Sequence, residues 1–474
     1  MSHAGRRRRH ARVTTDGASP LDTRVRIRRM PTADSAQPSD VRATFLREAT
    51  WHGSLDAADA LLAAHPELAG ADIHVAAVLG DEAAVRRCIA SDPASVHAKS
   101  PPYAGDALSY LCLSRYLRLD PARSAAFVRT ATALLDAGAD ANTGFWTTGK
   151  FPEHETALYG AAGVAHHGEL TRLLLARGAD PNDDEACYHS PESDQNDAMI
   201  ALVETGRLTA DNLSMMLIRK HDWHDYDGAK YLLEHGADPN GVPSRGWFPL
   251  HHALARSNGI EMFVLLMDHR ANALVVNNGM TAVARAAREG RRDVLALFEQ
   301  RGVPIDLQGV DALIAACARD QAAVIAAIAA RDPARVRELI GMGGPLLARF
   351  VGNGNVQGVR HLLDLGVPID APFVEGDGYF GIPAGSLAIH VAAWRAQPEI
   401  VTLLLARGSP VDVADADGET PLALAVKACV DSYWMGRRSP DSVRALLEAG
   451  ASVRGVAFPS GYGEVDDLLR AHGA

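Results

Sequence analysis

The sequence predicts an all-α solenoid, a stack of about twelve helix-turn-helix units, and three observations carry that prediction. First, a leucine pair, a glycine and a short polar turn recur. The unit reads Leu134-Leu135-Asp136-Ala137-Gly138-Ala139-Asp140-Ala141-Asn142, then Leu174-Leu175-Ala176-Arg177-Gly178-Ala179-Asp180-Pro181-Asn182, then Leu232-Leu233-Glu234-His235-Gly236-Ala237-Asp238-Pro239-Asn240. Weaker copies end at Gly302, Gly366, Gly408 and Gly450, and the same slot aligns with His65, Asp92, Gly206, Arg270 and Asp332. Second, these twelve anchors span 385 residues, a mean spacing of 35, which is the period of a helical repeat. Third, alanine and leucine dominate while aromatics make up only 6%, which favours helices over β-sandwiches.

Taken in order along the chain, residues 1–41 read as an Arg-rich disordered leader and linker. Residues 1–29 hold nine Arg against two Asp, a charge of +7, and leave −18 for residues 30–474 out of the net −11. Met30 is a possible true start, and Pro31–Asp40 is a Ser/Pro/Asp linker. No apolar stretch follows Arg6–Arg9, so a secretory signal is not indicated. Residues 42–452 form the solenoid and residues 453–474 a cap, with Val465–Leu469 as its short helix. The five cysteines, Cys88, Cys112, Cys187, Cys317 and Cys429, are far apart and never in CxxC spacing. They point to a reducing, cytoplasmic setting without disulfides or a Cys-based zinc site. No run reaches the roughly 18 apolar residues of a membrane span.

The anchor slot has the physics of a helix C-terminus. Glycine accepts the left-handed cap conformation, and a following Pro or Asp stops the helix. Upstream lies an amphipathic stretch such as Asp293-Val294-Leu295-Ala296-Leu297-Phe298, and before it an alanine-rich helix such as Ala282-Val283-Ala284-Arg285-Ala286-Ala287. Such a pair cannot bury its own apolar faces and needs a neighbour. The opening motifs are Phe248-Pro249-Leu250-His251-His252-Ala253, Thr420-Pro421-Leu422-Ala423-Leu424-Ala425, Ala388-Ile389-His390-Val391-Ala392-Ala393 and Ile73-His74-Val75-Ala76-Ala77. With inter-helix glycines at Gly53, Gly80, Gly290 and Gly354, this pattern resembles the ankyrin repeat, in particular the large bacterial ankyrin proteins. An Arg to Lys ratio of 42 to 5 fits a GC-rich bacterial genome. The resemblance implies β-hairpin-like fingers that line a concave face together with the first helices, and a protein-binding scaffold or adaptor.

Four anchor gaps, 92→138, 138→178, 366→408 and 408→450, run to 40 residues or more and therefore carry insertions. The repeat ending at Gly206 is degenerate, with Ser190-Pro191-Glu192-Ser193 where its first helix should end. The resemblance implies that His74, His251 and His390 hydrogen-bond neighbouring backbone, and that His166-His167 are turn residues.

The chemically richest segment is His221-Asp222-Trp223-His224-Asp225-Tyr226-Asp227. His221, His224 and Asp225 could form part of a divalent-metal site, which keeps a metal- or ligand-dependent enzyme as an alternative. The segment also aligns with an inter-helix turn, and no HExxH or third histidine stands at ligand spacing. Asp415-Ala416-Asp417-Gly418 resembles the middle of a calcium loop, but Val413 and Leu424 occupy its end-ligand positions. No nucleophile elbow or phosphate loop is present, and Gly341-Met342-Gly343-Gly344 lies between helices. Cys112 and Cys317 fall on apolar helix faces. The expectation is no enzyme activity, no resident metal and no cofactor.

What remains is surface recognition, with aromatics concentrated in the insertions. Candidate partner-binding residues are Trp146, Phe151, Trp223, Tyr226, Trp247, Tyr379, Phe380, Tyr433 and Trp434, with Phe145 and Phe373 in the same loops and Tyr116 in a helix–helix insertion similar to that of Tyr433-Trp434. The competing reading is that each loop folds back and buries its own aromatics. Asp183-Asp184-Glu185 and Glu375-Gly376-Asp377 favour a protein or peptide partner with basic features, bound by a monomer, rather than nucleic acid or membrane. An effector acting on another cell's proteins is a further alternative.

Overall fold

The computed structural model describes residues 40–148, 150, 152–244 and 246–474; the leader and the possible start at Met30 lie outside them. The chain divides into two compact lobes, one ending at Ala282 and the other running Val283–Ala474. It is mostly helical, as the repeat pattern predicts, with two short antiparallel hairpins among the described residues.

In the first lobe the helices sort into two layers. First helices Ile73–Val78, Ala107–Cys112, Ala157–Tyr159, Asp184–His189, Ala210–Asp222 and Pro249–Ala255 make one. Second helices Glu82–Ser91, Ser124–Asp136, Gly168–Ala176 and Asp197–Val203 pack in succession to make the other, which Tyr226–Glu234 and Ile260–Asp268 continue. In the second lobe Gly309–Ala318, Pro333–Gly352, Ala388–Trp394 and Pro421–Val430 form the first-helix layer. There Val356–Asp364, Pro398–Ala406, Asp441–Glu448 and the closing helix Gly463–Ala471 form the second. The closing helix buries Val465 and Leu469. The helix Pro333–Gly352 bends at Gly343, whose φ of 47° and ψ of −132° are non-helical. No described helix is long and apolar enough to cross a membrane.

The turn between the two helices of a pair repeats one geometry. A left-handed residue sits at Gly80, His166, His224, Ser257, Gly290, Asp320, Gly354 and Ala396. The next N–H then bonds back into the first helix, as Asp81 to the Ala76 carbonyl, Asp225 to Lys220 and Asn355 to Phe350. This is a Schellman-type closure. The pair-ending anchors behave differently from one another. Gly138, Gly178, Gly206, Gly236, Arg270, Gly302, Gly366, Gly408 and Gly450 have positive φ. His65, Asp92 and Asp332 instead lie at φ of −134°, −145° and −138°. Each of the three precedes a proline, whose ring disfavours helical backbone in the residue before it, so the slot there is extended.

Side chains staple successive repeats. His74 Nε2 meets the Ala98 carbonyl at 2.8 Å, His251 that of Val275 at 3.1 Å, and His390 that of Val413 at 2.9 Å. These are the backbone bonds that the repeat resemblance implies. The asparagine closing each polar turn adds a two-way bond. Asn142 donates to the Gly178 carbonyl and accepts from the Asp180 N–H, at 3.1 and 2.8 Å. Asn182 does the same with Arg207 and Thr209, and Asn240 with Arg270 and Asn272. In the second lobe Asp412 holds the corresponding place and accepts from the Ser452 N–H at 2.8 Å.

Candidate partner-binding site

The insertion between Gly138 and Gly178 folds into a finger whose strands, Gly144–Trp146 and His154–Thr156, pair antiparallel. Alternation along a strand sends its side chains to opposite faces. Phe145 and Glu155 point inward, 4% and 3% exposed, and Phe145 stacks on Tyr103 and meets Trp51 edge-on. Burial, then the Glu185 and Glu153 carboxylates, push Glu155 up to about 7. Trp146 and His154 point the other way and stack with ring centroids 4.7 Å apart, leaving Trp146 63% exposed.

Beside that pair opens a cavity of about 450 Å³ lined by Trp146, Glu153, His154, Asp180, Asp184 and Glu185 among others. The carboxylates arrive there for a structural reason. Asp183 caps the helix Asp184–His189 by accepting from the Ala186 N–H, and Asp184 and Glu185 fill its first turn, where the helix dipole favours anions. Thr156 of the finger donates to Asp183 and ties the finger to that helix. An aromatic platform beside clustered carboxylates can receive a cationic side chain.

The segment 221–227 resolves differently from a metal site. His221 is fully buried, and neither ring nitrogen has a hydrogen-bond partner among the described residues. Burial, then the neighbouring His252, holds it down at about 3. His224 is the left-handed turn residue. Asp225 caps Tyr226–Glu234 and binds Lys220 Nζ at 2.7 Å and Asn196 at 2.9 Å. Lys220 is itself wholly buried and also donates to the Ser193 carbonyl. Asp222 is held well below the usual carboxylate range: burial pushes it up, but His252, Arg219 and Arg256 outweigh that. No three His, Cys, Asp or Glu side chains converge on a metal position among the described residues. The chemistry that reads as ligand spacing is a turn plus a buried ion-pair network. Likewise Asp415 Oδ1 accepts from the Asp417 and Glu419 N–H groups, which makes it a finger turn.

The remaining aromatics divide. Tyr226 and Tyr433 are exposed at 38% and 45%, whereas Trp223, Trp247 and Tyr379 are half-buried. Phe380 and Trp434 are buried at 7% each, so the solvent-side reading does not apply to them. Both clasp Arg395, whose guanidinium carbon lies 3.7 and 4.3 Å from their ring centres. Trp394 Nε1 donates to the Phe380 carbonyl at 2.7 Å and pins that loop in place. Phe373 and Tyr116 are buried as well, and Phe151 lies outside the described residues. Sequence reasoning missed Trp51, Tyr103, His154, Arg395 and Lys220. Only His154, two residues from Thr156 in a hairpin that pairs it with Trp146, carries a signal in the spacing.

Helix pairs capped by left-handed turns and stapled through finger residues define a repeat protein, and comparison with known proteins identifies the repeat. Residues 215–308 match the ankyrin-repeat family as three copies, and residues 384–416 match a single ankyrin repeat. The chain thus carries ankyrin repeats. Serine/threonine-protein kinase 12 of Arabidopsis thaliana is 36% identical over 84 residues, 18% of this chain and 16% of that protein. The chain therefore matches less than a fifth of that relative's length. The crystal structure of the human ASB11 ankyrin repeat domain aligns with 62% of this chain and 98% of that one, at 20% identity and a TM-score of 0.23.

Proposed function

We propose that the chain is a non-enzymatic adaptor whose first lobe holds a protein partner at the finger of residues 144–156. The observation that carries this reading is the exposed Trp146 stacked on His154 at the rim of a carboxylate-lined cavity. Exposed tryptophans anchor protein interfaces, and the surrounding Glu153, Asp184 and Glu185 favour a basic side chain over an acidic one. The partner contributes a Lys or Arg whose stem lies on the indole and whose charge meets the carboxylates. Five free thiols, four of them buried, support a reducing, cytoplasmic setting.

The test is affinity purification followed by carboxyl-directed cross-linking and mass spectrometry. Cross-links from Glu153, Asp184 or Glu185 to lysines of one partner, lost in Trp146→Ala, are the expected result. Cross-links confined to the second-helix layer, such as Glu169 in Gly168–Ala176, would overturn the assignment. Trp146→Ala is expected to unfold like the wild type, because its ring is mostly in solvent.

A further inference from the structure

Arg395 ends the first helix Ala388–Trp394 of the second lobe and is 4% exposed. Its Nε is fully enclosed without a hydrogen-bond partner, and its Nη1 and Nη2 make no hydrogen bond among the described residues. Among the described residues no carboxylate pairs with it; Asp377 and Glu289 act on it only at longer range. Instead the guanidinium packs into the corner formed by two adjoining rings, Phe380 and Trp434, whose own centroids are 5.8 Å apart. A second cation, Arg437, lies over Trp434 at 4.6 Å and donates to the Arg395 carbonyl at 2.9 Å. Gly352 adjoins the guanidinium so closely that a Cβ there would stand 3.3 Å from Nη1. Burial, then repulsion from Arg437, pushes Arg395 down to about 9. The C-terminal dipole of its helix and the two rings hold the cation in place, but they satisfy none of its directional donors.

We propose that Arg395 is the receptor for an anion brought from outside, and that the anion is the carboxylate of an Asp or Glu side chain on a protein partner. The planar fork of a guanidinium matches a carboxylate in a bidentate pair, and contact with two adjoining rings holds that fork in place. A singly charged carboxylate suits the place better than a phosphate. Glu375 and Asp377 on the same insertion, and Glu289 beyond it, repel the greater charge more strongly. Arg437, at the exposed rim, draws the anion in. The assignment rests on the protein-binding reading and extends it to a second contact of opposite polarity from the Trp146 cavity. Its test is independent, since it uses small probes and never involves that cavity.

The experiment titrates the full chain, labelled with ¹⁵N-arginine, with N-acetyl-Gly-Glu-Gly-amide, its Gln counterpart and inorganic phosphate at constant ionic strength. The side-chain Nε–Hε signal of Arg395 is followed. Arg395→Lys identifies it, and Trp434→Phe, which keeps a ring on the guanidinium, identifies it if the lysine variant fails to fold. The Glu peptide is expected to shift the signal saturably, with a midpoint on the order of millimolar for so small a ligand and about tenfold weaker binding by the Gln peptide. Equal responses to the Glu and Gln peptides, or no response to either, would reduce Arg395 to a structural cation. Tighter binding of phosphate than of the Glu peptide would overturn the choice of carboxylate.

Discussion

Replacing His221 with leucine removes an imidazole that is wholly buried with both nitrogens unpartnered among the described residues. Its desolvated polar atoms have no compensating bond, so the change is expected to stabilise the first lobe by about 1 kcal/mol at pH 7.5. The larger effect is in the pH dependence. The folded-state value lies at about 3, against an ordinary value of 6.5 in the unfolded chain. Between those values the unfolded chain holds a proton that the folded chain lacks, so stability falls as pH falls through the window. One proton corresponds to 1.36 kcal/mol per pH unit, so the wild type loses about 2 kcal/mol on this account between pH 6.5 and 5. His221→Leu escapes that loss, and its advantage should widen from about 1 to about 3 kcal/mol. His166 and His252, also held down by burial, remain in both proteins and cancel to first order. Urea unfolding followed by tryptophan fluorescence at pH 7.5 and 5.0 measures the difference. An unchanged gap, or a variant weaker than wild type at pH 7.5, would refute the reasoning and mean that His221 has a partner.

Three further outcomes follow from other polar side chains. Asp225→Ala strands the enclosed Lys220 ammonium and should cost about 3–5 kcal/mol, while the double variant with Lys220→Met recovers most of it; a double-mutant cycle in urea reports the coupling. Glu155→Gln should stabilise the first lobe by about 1–2 kcal/mol at pH 8, after allowance for screening, and leave it unchanged below pH 4.5. The sign follows because a carboxyl raised to about 7 contributes stability below its unfolded value and loses it as pH rises through 7. Asn182→Ala removes both bonds to the next turn and should cost about 1–2 kcal/mol in the same assay, with faster amide exchange at Thr209.

The helix pairs were legible because each rule that specifies them is local. Leucine spacing, the Gly-Ala-Asp-x-Asn turn and the TPLH-type histidines act within one repeat or on the next. The pre-proline anchors at His65, Asp92 and Asp332 were legible as positions but not as conformations, because one neighbouring residue reverses the expected cap. The site was legible only as composition. An aromatic-rich insertion does not reveal which ring faces solvent, since strand alternation separates Phe145 from Trp146 by a single residue. Nor does spacing reveal that Arg395 packs against both Phe380 and Trp434, 15 and 39 residues away. His224 and Asp225 read as ligands in a list of residue types, whereas backbone φ and the buried Lys220 give them other work.

The asparagine staples also bear on how the protein ages. An Asn followed by glycine is the sequence most prone to lose its side-chain amide through a cyclic imide, and Asn240 precedes Gly241. Its side chain is held at both ends, by the Arg270 carbonyl and the Asn272 N–H, which keeps its carbonyl carbon from the Gly241 backbone nitrogen that would close the imide. Deamidation there would leave an acceptor with a new negative charge and no donor, the arrangement that Asp412 already presents at its own joint. Shelf life would therefore be written unevenly along the chain: in a preparation stored warm, residue 240 should turn acidic only after its turn has begun to open, later than the exposed Asn278 before Gly279.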